Sequence, residues 1–129
     1  MEITANALQT VATNGIIVFT DTAVNGNPSI IHREGSGLVT LRGLTNQCRA
    51  RFRVTFGANV ALPTDATATE PISLALAING EPLITSTMLS TPGAVEEFNN
   101  VGRTTFLDIV AGCCAQVSVE NTGNTPVDV

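Results

Sequence analysis

The segment Ser29-Ile-Ile-His32-Arg33-Glu34-Gly35-Ser36-Gly37 holds the single histidine of the chain, set between apolar residues and a cation–carboxylate pair, with two serine hydroxyls close by. An imidazole works as a base when a carboxylate orients one ring nitrogen and a nucleophile or metal meets the other within hydrogen-bond distance. On a strand His32 and Glu34 would share a face, so a His32–Glu34 or Arg33–Glu34 contact is expected. No Gly-x-Ser-x-Gly elbow surrounds them, and the segment reads as a polar turn between two strands. Glu96 and Glu97 adjoin and Asp108 stands alone in an apolar run. Paired carboxylates do acid–base work only where an apolar or like-charged setting separates their proton affinities, so surface charge is the expectation here. Asp21, Asp65 and Asp108 lack the Asp-x-Asp-x-Asp-Gly spacing that gathers oxygens around calcium. No catalytic, cofactor-binding or metal-ligating residue is assigned, and no cofactor is expected.

Cys48, Cys113 and Cys114 have no zinc-type spacing and are too few for a disulfide framework. Adjacent Cys113 and Cys114 would bond to each other only through a strained ring, which leaves two readings open. Either Cys48 pairs with one of them, within or between subunits, or all three are buried thiols behaving as small hydrophobes.

The most informative polar feature is "CRARFRVTFG". Ala50, Phe52, Val54 and Phe56 fall on one face of a strand, and Arg49, Arg51, Arg53 and Thr55 on the other. Like charges at that spacing repel, so the ladder asks for carboxylates on a neighbouring strand, on another subunit or on an outside partner. "ISLALAING" places Ile72, Leu74, Leu76 and Ile78 opposite the small Ser73, Ala75 and Ala77, a strand covered on both sides whose small face suits close packing by another subunit. The expected interface residues are Arg49, Arg51, Arg53, Ser73, Ala75 and Ala77.

The elements that would position these residues are short alternating runs separated by Gly, Pro, Asn and Asp clusters, with no convincing helical period, so the chain reads as all-β. "ALQTV" and "GIIVF" flank an Asn14-Gly15 turn, "SIIH" precedes Gly35-Ser36-Gly37, and "LVTLR" follows it. "ANVALPTDATATEP" reads as an exposed, Pro-bounded loop. "PLITSTMLS" continues after the Asn79-Gly80 turn, and "TPGAVEEFNNVG" is a connection with room for one helical turn. "TTFLDIV" and "AQVSVE" pair around Ala111-Gly112-Cys113-Cys114. "TPVDV" begins a further strand and then stops, which would leave an open edge.

At 129 residues the chain is one domain, residues 1–129, with a single core. Six arginines, no lysine and eleven acids leave a net charge of −5. That balance argues against nucleic-acid binding, which draws on clustered cations that release counterions. The opening "MEITANALQTVATNG" has neither a basic nor an apolar leader region, and no stretch nears the roughly 18 apolar residues that span a bilayer, so a soluble product without membrane contact is expected. A sugar-binding role is weakened by the lack of Trp and Tyr; of Phe19, Phe52, Phe56, Phe98 and Phe106, several occupy core-facing positions.

Taken in order, "ANALQTVATNGIIVFTD", "SIIHREGSGLVTLRG", "CRARFRVTFG", "ISLALAINGEPL" and "TTFLDIVAGCCAQVSVENTG" resemble the jelly-roll domains of the tumour-necrosis-factor and complement globular-head type, especially those capping collagen-like bacterial spore-surface proteins. "HREGSGLVTLRGLTNQCRARFRV" and "AVEEF" are also similar to small virion accessory proteins of phages and prophages of gut bacteria. The resemblance implies an antiparallel β-sandwich that assembles as a homotrimer, a location in the virion after synthesis in the host cytoplasm, and contact with the major capsid protein or another virion component. The family is chiefly structural and adhesive and carries over no catalytic residue. It usually continues past "TPVDV" into one more strand, so either the end is truncated here or a partner completes the sheet. The expected function is non-enzymatic capsid decoration or a head fibre; the alternative is a trimeric adhesin or carbohydrate-binding head using the loops at 57–71 and 90–103.

Overall fold

A computed structural model describes residues 1–26, 28–43, 48–66, 70–110 and 114–129. Its strands are β1 (Glu2–Thr4), β2 (Thr10–Val11), β3 (Asp21–Val24), β4 (Ile30–His32), β5 (Val39–Arg42), β6 (Arg49–Val60), β7 (Ile72–Ile78), β8 (Glu81–Pro82), β9 (Met88–Ser90), β10 (Asn99–Val110), β11 (Cys114–Asn121) and β12 (Val127–Asp128). Every pairing among them is antiparallel.

Period-two alternation is what sorts the chain into two layers. One layer runs β4-β5-β11-β7-β8, with β9 pairing β7 as well. The other is built on β6 and β10, paired without a break from Arg49↔Val110 to Val60↔Asn99. Ala61, one residue past β6, bridges Asp128, and β12 pairs β2, so β2, β12, β6 and β10 follow one another across this second layer. The layers close on Val11, Ile17, Phe56, Val60, Leu62, Ile72, Leu74, Leu76, Val119 and Val127 toward one end and on Leu41, Leu107, Ile109 and Val117 toward the other. The result is an all-β, two-layer antiparallel sandwich.

Turn chemistry behaves as its residues require. Asn79 and Gly80 both take positive φ, 52° and 84°, the paired left-handed geometry of a two-residue hairpin, and return the chain from β7 to β8. Asn14 also has positive φ (64°), but its turn carries the chain from β2 in the second layer to Ile16, which bridges Glu120 of β11 in the first. "ALQTV" and "GIIVF" are therefore neighbours in sequence that serve opposite layers, and only Thr10–Val11 forms a regular strand there.

Several expected boundaries move. β6 runs on to Val60, and Val60, Ala61 and Leu62 are wholly buried, so the loop starts near Pro63 rather than at Ala58; its residues 67–69 lie outside the described set. β10 starts at Asn99, five residues before "TTFLDIV". No helical turn forms in 91–98; a 3-10 turn forms instead at Ile84–Ser86, where the buried Ser86 hydroxyl accepts the Leu76 N–H at 3.0 Å and donates to the Leu83 carbonyl at 2.7 Å. The short strand at "TPVDV" is itself paired, and the open edge falls beside β6, which among the described residues has no partner but β10 from Arg49 to Val60. Val127 and Asp128 are buried, held by β2 on one side and by reciprocal Ala61–Asp128 backbone bonds of 2.9 Å on the other. The Ala111-Gly112-Cys113 part of the expected β10–β11 turn lies outside the described residues.

Candidate functional site

The alternation that buries Phe52, Val54 and Phe56 projects Arg49, Arg51 and Arg53 from the outer face of the β6–β10 ribbon. The register sets them opposite Val110, Asp108 and Phe106. Arg51 meets Asp108 through two bonds, Nε to Oδ1 at 2.8 Å and an Nη to Oδ2 at 3.2 Å. The neighbouring strand thus supplies an anion for the middle rung, while Arg49 and Arg53 face exposed apolar side chains: Val110 is 60% and Phe106 64% accessible. Further along, Thr55 and Thr104 share a 3.0 Å hydroxyl contact and Asn100 donates to Asn59 at 3.3 Å.

Charge is unevenly divided. On the outer face of the ribbon Arg49, Arg51 and Arg53 against Asp108 give +2, while the other ten acids against Arg33, Arg42 and Arg103, which lies opposite the core-facing Phe56, give the rest of the chain −7. The outer face of β6–β10 is a cationic, partly apolar plate on an acidic body.

Hydrogen bonding to Arg51, with the attraction of Arg51 and Arg49 behind it, holds the Asp108 carboxyl below its usual 3.8, and the same bond raises the Arg51 guanidinium. A carboxyl lowered on folding stabilises the fold above its unfolded value and loses that contribution as pH falls through the folded one. The Asp108 side-chain carbon resonance is accordingly expected to titrate below pH 3.8 and to move upward in Arg51→Ala. A midpoint unchanged by that substitution would mean that the pair does not persist in solution. Because the pair is exposed, its effect on the unfolding midpoint is expected to be small.

The other three expected interface residues lie elsewhere. Ser73, Ala75 and Ala77 alternate with the core residues of β7 and so belong to the opposite layer, with the whole sandwich between them and the arginines. Ala75 and Ala77 are 1% and 0% accessible within the protomer, and the Ser73 hydroxyl shares a 2.7 Å contact with Thr122. The six residues do not form one surface.

The His-Arg-Glu segment is structural in its contacts. His32 Nε2 donates to the Ser36 carbonyl at 2.9 Å and its ring stands edge-on to Phe19, with centroids 6.3 Å apart. Glu34 reaches neither His32 nor Arg33; its carboxylate accepts the Thr22 N–H at 3.3 Å, because β4 ends at His32 and the chain turns before Glu34 could share its face. Glu96 and Glu97 are exposed, and Asp21 accepts from Asn6 and Thr20. Among the described residues no three His, Cys, Asp or Glu side chains come together as metal ligands. Cys48 and Cys114 are exposed rather than buried, and Cys113 lies outside the described residues.

Phe106 and Val110 were missed in the sequence. The signal was present: in "TTFLDIV" the charged Asp108 marks the outward parity, and Phe106 and Val110 share it. No known family model matches the chain, and a search of curated proteins finds no match to it.

Proposed function

We propose that the protein is a non-enzymatic structural component of a phage virion, a homotrimeric capsid-decoration or head-fibre protein that docks on the major capsid protein or another virion component. The observation that carries this reading is the outer face of β6–β10. A regular, rigid plate presents Arg49, Arg53, Phe106 and Val110 to solvent on a body of opposite charge. Exposed apolar surface rimmed by charge suits protein contact, and such a plate is complementary to the acidic remainder of another copy. A contact between two different surfaces of identical subunits repeats around an axis and closes into a ring when the rotation allows, as in a trimer.

Light scattering at micromolar concentration is expected to give about three times the 13.4 kDa chain mass. The double variant Phe106→Glu with Arg53→Glu is expected to be monomeric at the same concentration with its unfolding midpoint retained, since both side chains are exposed. A wild-type protein that stays monomeric there would end the trimer reading. Stoichiometric co-purification with virions tests the location.

A second reading, a trimeric adhesin or carbohydrate-binding head, draws support from two exposed aromatics, Phe98 at 51% and Phe106 at 64%, which offer open ring faces for stacking. Reproducible glycan-array hits lost on Phe98→Ala would favour it over decoration.

A further inference from the structure

The outer face of β6–β10 leaves two of its cations without a counter-ion. Arg51 is bonded to Asp108, while among the described residues Arg49 and Arg53 meet no carboxylate, and each stands opposite an exposed apolar side chain, Val110 or Phe106. A surface that covers this plate must bring acids and apolar contact together.

The acids of the chain differ in how far they are already engaged. Asp21 accepts from Asn6 and Thr20, Glu34 from the Thr22 N–H, and Asp128 from the Thr10 hydroxyl at 2.6 Å. Val95-Glu96-Glu97-Phe98 is different. It is the one place in the sequence where two carboxylates adjoin, and the exposed Val95 and Phe98 frame them. Both carboxylates are exposed, and among the described residues neither meets a cation. The segment is also held in place. Glu96 takes a positive φ of 59°, and its N–H is bonded at 3.0 Å to the carbonyl of the wholly buried Leu62. A non-glycine residue keeps that conformation where its surroundings fix it.

This segment leads directly into β10, whereas the plate lies toward the far end of that strand. About 30 Å of ribbon separates Glu97 from Phe106, at about 3.4 Å per residue, so a protomer cannot lay its own segment on its own plate. A second copy can.

We propose that segment 95–98 of one protomer docks on the β6–β10 plate of another copy, with Glu96 and Glu97 beside Arg49 and Arg53, and Val95 and Phe98 against Phe106 and Val110. The occupant is a second copy because the two surfaces match in sign, in number of charges and in apolar content, and each is left unsatisfied within one chain. The surfaces are unlike, so every copy gives one segment and receives another, as a closed ring requires. The inference rests on the reading of the plate as a contact between copies, and names the surface that the plate receives.

Four exposed side chains carry the test. The plate variant, Arg49→Glu with Arg53→Glu, and the segment variant, Glu96→Arg with Glu97→Arg, are each expected to raise the dissociation constant of the assembly about a hundredfold in sedimentation equilibrium, about 2.8 kcal/mol. Both are expected to keep the far-ultraviolet circular dichroism of the wild type. The chain carrying all four substitutions is expected to return to within about tenfold of wild-type association, because the signs are exchanged on both surfaces at once and the apolar contacts are unchanged. A wild-type assembly that survives the segment variant overturns this contact and leaves the reading of the plate intact. A folded four-substitution chain that stays apart overturns it as well. A wild type that is monomeric at micromolar concentration ends that reading and this contact with it. An assembly of two copies that answers to the variants as stated supports the contact and overturns only the number three.

Discussion

Asn121→Leu is expected to destabilise the protein by about 3–5 kcal/mol in urea unfolding, since each buried polar group left unpaired costs roughly 1–3 kcal/mol. Asn121 is wholly buried, and every polar atom of its amide is used. Its Nδ2 donates to the Val11 carbonyl at 3.1 Å and to the Thr125 carbonyl at 2.9 Å, and its Oδ1 accepts the Gly123 N–H at 3.0 Å. Leucine has a similar volume, so little of the loss would come from a cavity. The damage should be local first: the amide ties β2 to the turn that delivers β12, and amide exchange at Val11 and Val127 should quicken before that of β10. A loss below about 1 kcal/mol would show that water replaces these bonds and that the amide is not a strut.

No pattern in the sequence marks Asn121 in this way. It sits in "VENTGNTP", whose Asn, Gly and Pro are turn signals, and its type predicts exposure. Its burial follows from a contact between residues 110 positions apart, which local periodicity cannot report. What the sequence did make legible was everything set by alternation. The two faces of β6, the double cover of β7 and the hairpin at Asn79-Gly80 all follow from period two and from the φ demands of two turn residues. Boundaries failed where a small or polar residue continues a strand. Gly57 and Asn59 look like a loop, yet they pair with Gly102 and Asn100, and only that partner keeps them extended.

The candidate site was half legible for a related reason. The arginine ladder follows from one strand alone. Its partners, Val110, Asp108 and Phe106, depend on which strand lies beside it and in what register, and that is long-range information. The small residues of β7 were grouped with the ladder because both suggested contact surfaces, yet period two says only which face a residue takes within its own strand. Assigning that face to a layer required the topology, and the topology separates them. The charge division has the same origin. A chain at −5 reads as acidic, yet three of its six arginines share the outer face of β6, and pairing sets only one acid, Asp108, opposite them.

Gly37→Ala is expected to cost about 3 kcal/mol, at the upper end of what overpacking one methyl group costs. A Cβ at this buried position would lie 2.5 Å from the Ile17 carbonyl oxygen and 2.7 Å from Ile16 Cδ1. The first of these cannot swing aside. Ile17 is 1% accessible and its N–H is bonded to the Val119 carbonyl at 2.9 Å, so relief would require pulling that segment from β11. Gly35, two residues earlier in the same Gly-Ser-Gly run, provides the contrast. A Cβ there meets nothing within 4 Å, and only its φ of +87° is unfavourable for alanine, so Gly35→Ala should cost about 1–2 kcal/mol. The two glycines look alike in sequence, but one makes room for a neighbouring backbone and the other turns a corner. If urea midpoints rank Gly37→Ala as no worse than Gly35→Ala, the close packing of residues 16 and 17 over this turn is wrong, and with it the seat of the polar segment around His32.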